Sequence, residues 1–261
     1  MLARKWVFAF DETGISIDFR FRQRLNLNAF MNDFSVIPVN TGIYSLSEAA
    51  KLTGVSTSRI RRWLKGYDFR KGKSVHHSNS IWEGQLKPLE NKISLGFLDL
   101  IEIRFVEAFL AAGVSWKTMR LAHNRARKQI GSEHPFCSNQ FVTDGRKILL
   151  QQANESSDQA LIDIITNQQE FRRIVEPFLK ELEFAKDNQL ARWWPLGKER
   201  AVVLDPVRNF GQPTAASSGI PTQVLARSLK ANTSIEAVAR WYEVQPDEVR
   251  DAVEFERRLA A

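Results

Sequence analysis

The segment from Ser45 to Leu64 most constrains the fold, because its sequence predicts two short helices joined by a tight turn. Ser45 and Glu48 have the spacing of a capping box, in which each side chain satisfies a backbone N–H at the start of a helix. Gly54 permits the sharp turn between the helices, and Ser56 can cap the second one. We therefore predict a helix-turn-helix.

The second predicted helix has one apolar and one basic face. Helical spacing places Ile60, Trp63 and Leu64 together, and the opposite face carries arginine and lysine. A helix that binds the major groove needs such side chains, because arginine can donate two hydrogen bonds to guanine. We predict DNA contacts for Thr57, Ser58, Arg59, Arg61, Arg62 and Lys65.

A basic loop follows this helix and predicts a wing or hairpin tip that contacts phosphates. Its cations are Arg70, Lys71 and Lys73. Residues 56–77 contain seven Lys or Arg and one acidic residue, so this stretch supplies +6 of the chain's net charge of +7. Such a local patch is typical of a nucleic-acid-binding surface. The alternative is an ordinary solvated face on a helical pair that binds only protein.

Composition limits the remaining classes. A chain of 261 residues with 43% hydrophobic residues can fill one large core or two to three small ones. The single cysteine, Cys137, excludes an intramolecular disulfide and a thiolate metal cage, which favours the cytoplasm. No apolar run approaches the roughly 20 residues that span a bilayer, so we expect no membrane association.

The first thirty residues lack a clear helical or alternating pattern. We hypothesise that translation begins at Met31 and that the preceding residues are upstream read-through. A short edge hairpin is the alternative. Residues 1–42 are accordingly treated as an N-terminal extension.

Several patterns predict a central domain of helices and short antiparallel hairpins over residues 93–204. A mostly apolar helix is expected at 97–110, and a basic helix at 116–129 whose cations could extend the DNA contact. Asp144-Gly145 and Asp187-Asn188 each lie between β-forming residues, which predicts two hairpins. Apolar residues from Leu161 to Leu182 recur at helical spacing and form either the monomer core or a dimer seam.

The C-terminal residues 205–261 predict a separate module of three helices, at 222–231, 234–242 and 246–259. Ser234 and Pro246 are well placed to begin the second and third of these helices. From residue 201 onward there are seven Lys or Arg and eight Asp or Glu. This balance favours a module that binds protein rather than DNA.

Two family resemblances add to these predictions. Residues 46–55, Leu-Ser-Glu-Ala-Ala-Lys-Leu-Thr-Gly-Val, followed by Arg62 and Trp63, resemble the MerR-type helix-turn-helix over about fifty residues. The chain departs from MerR activators in having neither a long coiled-coil heptad run nor a cysteine cluster, so metal sensing is unsupported.

From about Ile43 onward the chain resembles a VapB-type antitoxin with a MerR-like head. The resemblance is carried by Phe141 with Asp144-Gly145, by Trp193 with Pro195, and by the C-terminal pattern Asp205-Pro206, Phe210-Gly211-x-Pro213, Ile220-Pro221-Thr222, residues 234–239 and Pro246-x-x-Val249-x-x-Ala252. It implies a homodimer that represses its own promoter at a double-stranded DNA operator and binds a PIN-domain ribonuclease toxin. Arg257 and Arg258 are candidate toxin contacts, with solvated helix-end charges as the alternative.

The sequence thus predicts a helix-dominated α+β protein with a winged helix-turn-helix at residues 43–92. We expect no enzyme, because the four histidines have no metal-ligand spacing and no nucleophile or phosphate-loop motif occurs. No cofactor or metal is expected. The alternatives to an antitoxin are a MerR-like regulator and a protein-interaction adaptor without a toxin partner.

Overall fold

The computed structural model describes residues 41–88, 92–232 and 234–260, all of which belong to one unit, Val39–Ala261. The hypothesised start at Met31, and residues 1–40 of the expected extension, lie outside the described residues. Within them the chain is helix-dominated and carries small antiparallel sheets, which confirms the predicted α+β class. No helix in these ranges is long and apolar enough to cross a bilayer.

The structure gives the following element boundaries. The α-helices are α1 (Leu46–Thr53), α2 (Thr57–Lys65), α3 (Phe97–Ala111), α4 (Trp116–Ile130), α5 (Asn139–Ser156), α6 (Gln159–Thr166), α7 (Gln168–Glu181), α8 (Thr222–Asn232), α9 (Ile235–Tyr242) and α10 (Pro246–Ala260). The strands are β1 (Tyr44–Ser45), β2 (Tyr67–Lys71), β3 (Ser74–Ser78), β4 (Ser94–Leu95), β5 (Leu182–Phe184), β6 (Leu190–Trp193), β7 (Val202–Leu204) and β8 (Pro213–Ala215).

All strand pairs in the described residues are antiparallel. The short strands β1 and β4 pair with each other just before α1 and α3, and this pairing holds together the two segments that lead into these helices. Strands β2 and β3 form an isolated hairpin directly after α2. The remaining strands form a sheet in the order β5-β6-β7-β8, with Val202 of β7 opposite Ala215 of β8.

The main core is aromatic and lies around α3. The Phe105 ring packs against Phe109, Phe136 and Phe178, with centroid distances of 4.9–5.2 Å, and meets Phe141 edge-on at 5.1 Å. Each buried aromatic ring contributes roughly 2–3 kcal/mol through removal of apolar area from water. A second, smaller apolar cluster joins α8, α9 and α10. The C-terminal helices therefore have a core of their own, although Phe255 of α10 reaches the main core.

The predicted hairpin at Asp144-Gly145 is wrong, because both residues lie inside α5. The physical reason lies in packing. A Cβ atom at Gly145 would approach the Phe141 ring to 3.0 Å, so the glycine makes room for a ring that is buried among other aromatics. Pro177 lies inside α7.

Some other secondary-structure predictions for the central and C-terminal residues agree with the structure. A hairpin joins β5 to β6 through Asp187-Asn188, and β7 follows where a strand was expected. Helices α8, α9 and α10 match the three predicted C-terminal helices to within two residues at each end. The domain boundary expected at residues 204/205 falls between β7 and β8, two strands that pair in one sheet.

The apolar residues of the Leu161–Leu182 stretch were expected to form either the core of the monomer or a dimer seam, and the structure places them in the core. They pack inside the single chain. The buried ones are Leu161, Ile164, Ile165, Val175, Phe178 and Leu182, each at most 5% exposed, and Ile162, Phe171 and Ile174 are partly buried against them. These side chains are therefore not available as a dimer seam in this conformation.

Candidate nucleic-acid interface

Capping residues determine where the two helices before the hairpin begin and end. The Ser45 backbone N–H donates to Glu48 Oε2 at 2.7 Å, and the Glu48 N–H donates to Ser45 Oγ at 3.2 Å, which completes the predicted capping box. Gly54 ends α1 in the left-handed region, with φ of +72°. Ser56 caps α2 through the Arg59 N–H at 3.4 Å. The predicted helix, turn and helix are confirmed as secondary structure.

The apolar face of α2 fixes the helix on the main core. Ile60 is fully buried and Trp63 is 3% exposed. The Trp63 ring lies 5.9 Å from the Trp116 ring at the start of α4, and the Trp63 carbonyl accepts from the Ile81 N–H at 2.9 Å. Trp116 in turn donates from Nε1 to Ser78 Oγ at 3.2 Å. Helix α2, the hairpin and α4 are thus joined around two tryptophans.

The opposite face of α2 points to solvent and carries most of the predicted DNA contacts. The exposed ones are Thr57, Ser58, Arg61, Arg62 and Lys65. Arg62 also lies over the Tyr67 ring, 5.4 Å from its centroid, which restrains its orientation. The side chains share one surface as the helical spacing predicted.

Arg59 differs from the other predicted contacts. It is half-buried, and its Nη1 donates to Glu107 Oε1 of α3 at 2.7 Å. Its guanidinium also lies 5.2 Å from the Trp63 ring. These contacts connect α2 to α3, so part of the hydrogen-bonding capacity of Arg59 is used inside the protein.

The hairpin after α2 carries the other predicted cations at its tip. Gly72 has φ of +63°, the left-handed conformation that a tight turn requires. Arg70, Lys71 and Lys73 are exposed on either side of it. At the base of the hairpin, His77 Nδ1 and Asp68 Oδ1 are 2.6 Å apart.

The electrostatics of this surface favour an anionic partner. Among the described residues, no acidic side chain forms an ion pair with Arg61, Arg62, Lys65, Arg70, Lys71 or Lys73. Unpaired cations on one surface attract phosphates without first having to break internal salt bridges. The arrangement can therefore present the arginines of α2 and the cations of the flanking hairpin to a polyanion.

Sequence reasoning missed the buried carboxylate of Asp99, which binds the chain after the hairpin to the main core. Asp99 is fully buried at the start of α3. It accepts hydrogen bonds from Trp82 Nε1 at 2.9 Å, Gln85 N at 3.0 Å, Gly96 N at 2.8 Å and His134 Nε2 at 3.0 Å. These donors come from three separate segments, so Asp99 fixes the chain that follows the hairpin. An acidic residue inside the apolar run 97–110 was the available sequence signal.

Two further buried groups surround Asp99. Burial disfavours a charged imidazole at His134, but the hydrogen bond and charge of Asp99, with Glu102 and Glu133, outweigh it and raise the pKa of His134. Burial raises the pKa of the Cys137 thiol well above its ordinary value. Cys137 is therefore a protonated, structural thiol. The described residues hold no group of three or more His, Cys, Asp or Glu side chains arranged to bind a metal ion.

The two predicted toxin contacts lie on the last turn of α10. Both Arg257 and Arg258 are exposed. Arg258 pairs with Glu254, whereas Arg257 has no ion pair among the described residues. A cleft of about 260 Å³ separates this end of α10 from the end of α1, and it is lined by Arg258 and Lys51.

The chain is similar in sequence to known proteins. Residues 202–255 match a family described as "Protein of unknown function (DUF433)". The chain is also 29% identical over 222 residues to the "Putative antitoxin VapB45" of Mycobacterium tuberculosis, an alignment that covers 81% of this chain and 92% of that relative.

A solved structure shows a similar fold. The crystal structure of Rv2018 from Mycobacterium tuberculosis superposes with a TM-score of 0.63 at 26% sequence identity, and the match covers 83% of this chain and 100% of that one. The similarity therefore spans most of this chain and the whole of that one.

Proposed function

We propose that α1, α2 and the β2–β3 hairpin act as a winged helix-turn-helix that binds double-stranded DNA. The observation that carries this proposal is the set of exposed, unpaired cations on α2 and on the hairpin tip. The MerR-like sequence of residues 46–55 supports it. In this interpretation residues 43–92 are the DNA-binding domain of the chain.

In the proposed binding mode, one set of side chains contacts bases and another contacts phosphates. Arg61 and Arg62, with Thr57 and Ser58 near the start of α2, enter the major groove and contact base edges. The hairpin lysines contact phosphates and position the protein without reading sequence. Arg59 contributes mainly by joining α2 to α3 through Glu107.

We further propose that the protein is the antitoxin of a toxin–antitoxin pair. The similarity over most of the chain to a protein named an antitoxin supports this role. As the VapB resemblance implies, the partner would be a PIN-domain ribonuclease. The C-terminal residues 205–261 would bind it, with Arg257 or Arg258 facing its acidic metal-binding pocket. Residues 93–204 would connect the two functions, and a homodimer would repress the shared promoter.

The DNA proposal is tested with the full chain and the DNA upstream of its gene. Fluorescence anisotropy between 50 and 200 mM salt should show binding that weakens steeply as salt rises, because each neutralised phosphate releases counterions. A dimeric protein should protect two half-sites arranged as an inverted repeat. Binding that is absent at 50 mM salt would contradict the proposal and favour a protein-interaction adaptor.

The antitoxin proposal is tested by co-expression with the neighbouring nuclease gene. Cells that express the nuclease should stop growing, and the full chain should restore growth. Arg257→Ala and Arg258→Ala should weaken the rescue, whereas Arg240→Ala, an exposed arginine of α9, serves as the control. If the full chain fails to restore growth, the antitoxin role is wrong even where DNA binding persists.

A further inference from the structure

The start of α4 lies against the proposed DNA-binding surface. Trp116, the first residue of α4, meets the Trp63 ring of α2 at 5.9 Å and donates to Ser78 at the end of the hairpin at 3.2 Å. Arg120 follows one helical turn later on the same face as Trp116. Lys117 is exposed, and Arg120 is partly exposed. Both cations therefore lie within about one helical turn of Trp116, the residue of α4 that contacts α2 and the hairpin.

The structure separates these two cations from others on α4. Arg125 pairs with Glu155, and Arg127 pairs with Glu133 at 2.8 Å, so both are neutralised within the protein. Among the described residues, Lys117 and Arg120 form no ion pair with an acidic side chain. Lys128 is also unpaired, but it lies eleven residues beyond Lys117, about 16 Å further along the helix.

One acidic residue lies close to this end of α4. Asp158 Oδ2 accepts from the Ser115 N–H at 3.2 Å and from Thr118 Oγ1 at 2.5 Å. Its carboxylate thus faces the positive end of the helix, and hydrogen bonds from the protein satisfy it. Glu107 of α3 is paired with Arg59. The surface around Lys117 and Arg120 remains net positive.

We infer that Lys117 and Arg120 form a second phosphate-binding surface, which extends the DNA contact of α2 and the hairpin onto the start of α4. This inference rests on the proposed DNA binding. It assigns to Lys117 and Arg120 contacts with the DNA backbone outside the groove that α2 enters. Since phosphates carry no sequence information directly, these contacts raise affinity for operator and unrelated DNA alike.

The test compares the parent with the double variant Lys117→Ala/Arg120→Gln in full-length protein. The logarithm of the binding constant should fall less steeply with the logarithm of salt concentration, by about 0.9 for each phosphate that the variant no longer neutralises, or roughly 2 in all. Affinity should decrease equally for operator and unrelated duplexes. Lys128→Ala, the same kind of change further along α4, should leave the slope unchanged.

Thermal unfolding of each variant checks that α4 remains folded. Should the double variant be destabilised, the single change Lys117→Glu keeps the test decisive, because Lys117 is at the surface and its charge reversal should weaken binding more than its removal. An unchanged salt slope in variants that still bind DNA overturns this inference and leaves the proposed function standing. A parent protein that does not bind DNA overturns both.

Discussion

Helices α1 and α2 with their hairpin, residues 46–78, and the C-terminal segment 202–255 differ in the charged side chains that distinguish them. In the first region the cations of α2 and the hairpin tip that face solvent have no acidic partners among the described residues. In the second, the carboxylates of Asp205, Glu248 and Asp251 are buried, each at most 7% exposed, and accept hydrogen bonds from the surrounding chain.

This difference separates charged groups that are available to an external partner from charged groups that stabilise the folded chain. A buried carboxylate is stabilising only while its donors stay in place, so its removal should be measured in the free energy of unfolding. An exposed, unpaired cation contributes little to folding but remains available to an external anion. Substitutions in the two regions should therefore change different measured quantities.

The largest effect is expected from Asp251→Ala. Asp251 accepts from Arg200 Nε and from the Ala201 backbone N–H, both at 2.7 Å, and its removal leaves the Ala201 N–H without its acceptor and Arg200 with Glu254 alone. We expect the free energy of unfolding to fall by about 2–3 kcal/mol. Chemical denaturation measures this change. The control is Asp247→Ala, an exposed carboxylate on the same helix, which should change stability by less than about 0.5 kcal/mol.

The next effect should appear in DNA affinity rather than stability. Arg61→Ala is expected to weaken binding to the operator by about 1–3 kcal/mol and to relax sequence preference at the contacted base pair. Its unfolding free energy should stay within about 0.5 kcal/mol of the parent. Arg240→Ala makes the same change at an exposed arginine of the C-terminal segment and should leave DNA binding unaltered. An equal decrease of affinity in the two variants would break the comparison.

A smaller effect is expected at the hairpin tip. Lys71→Ala and Lys73→Ala should each reduce the salt dependence of DNA binding by about 0.9, because each removes one phosphate contact. Operator and unrelated duplexes should be weakened to the same extent. Lys186→Ala, an exposed lysine in the loop between β5 and β6, is the matched control. A variant of Lys71 or Lys73 in which operator binding alone is weakened would show that the tip reads sequence.

The smallest effect is expected in the pH dependence of stability, through the buried residue His134. Because Asp99 raises the pKa of His134 in the folded state, folding favours the protonated ring. The resulting stability is fully present below the unfolded histidine pKa of about 6.5 and is lost as pH rises through the folded value. Denaturation curves between about pH 6 and 9 should show this decline in the parent. In His134→Gln the decline should be reduced, and an identical pH profile in the two proteins would exclude the contribution.

Elements that depend on local signals could be predicted from the sequence. The capping box of Ser45 and Glu48, the left-handed Gly54 and the Pro246 start of α10 are each set by residues within one helical turn. The basic face of α2 likewise follows from helical spacing alone. Such features need no knowledge of what packs against them.

Features that depend on distant partners could not be predicted. The Asp99–His134 pair joins residues 35 positions apart, and Arg59 meets Glu107 across 48 positions. The hairpin predicted at Asp144-Gly145 was wrong for a related reason. The local signal favours a hairpin, but burial of the Phe141 ring among Phe105 and Phe136 outweighs it and keeps the segment helical.

The strand that leads into α1 is tied to the C-terminal segment. Tyr44 is 2% exposed, and its hydroxyl donates to the Gly211 carbonyl at 2.5 Å, while the Ile43 N–H donates to the Phe210 carbonyl at 3.0 Å. A Cβ atom at Gly211 would lie 2.2 Å from the Tyr44 hydroxyl, so a side chain there displaces the ring. Residues 46–78 should therefore fold poorly when fused to another protein, because a fragment that begins at α1 lacks the contacts of Ile43 and Tyr44 with the C-terminal segment.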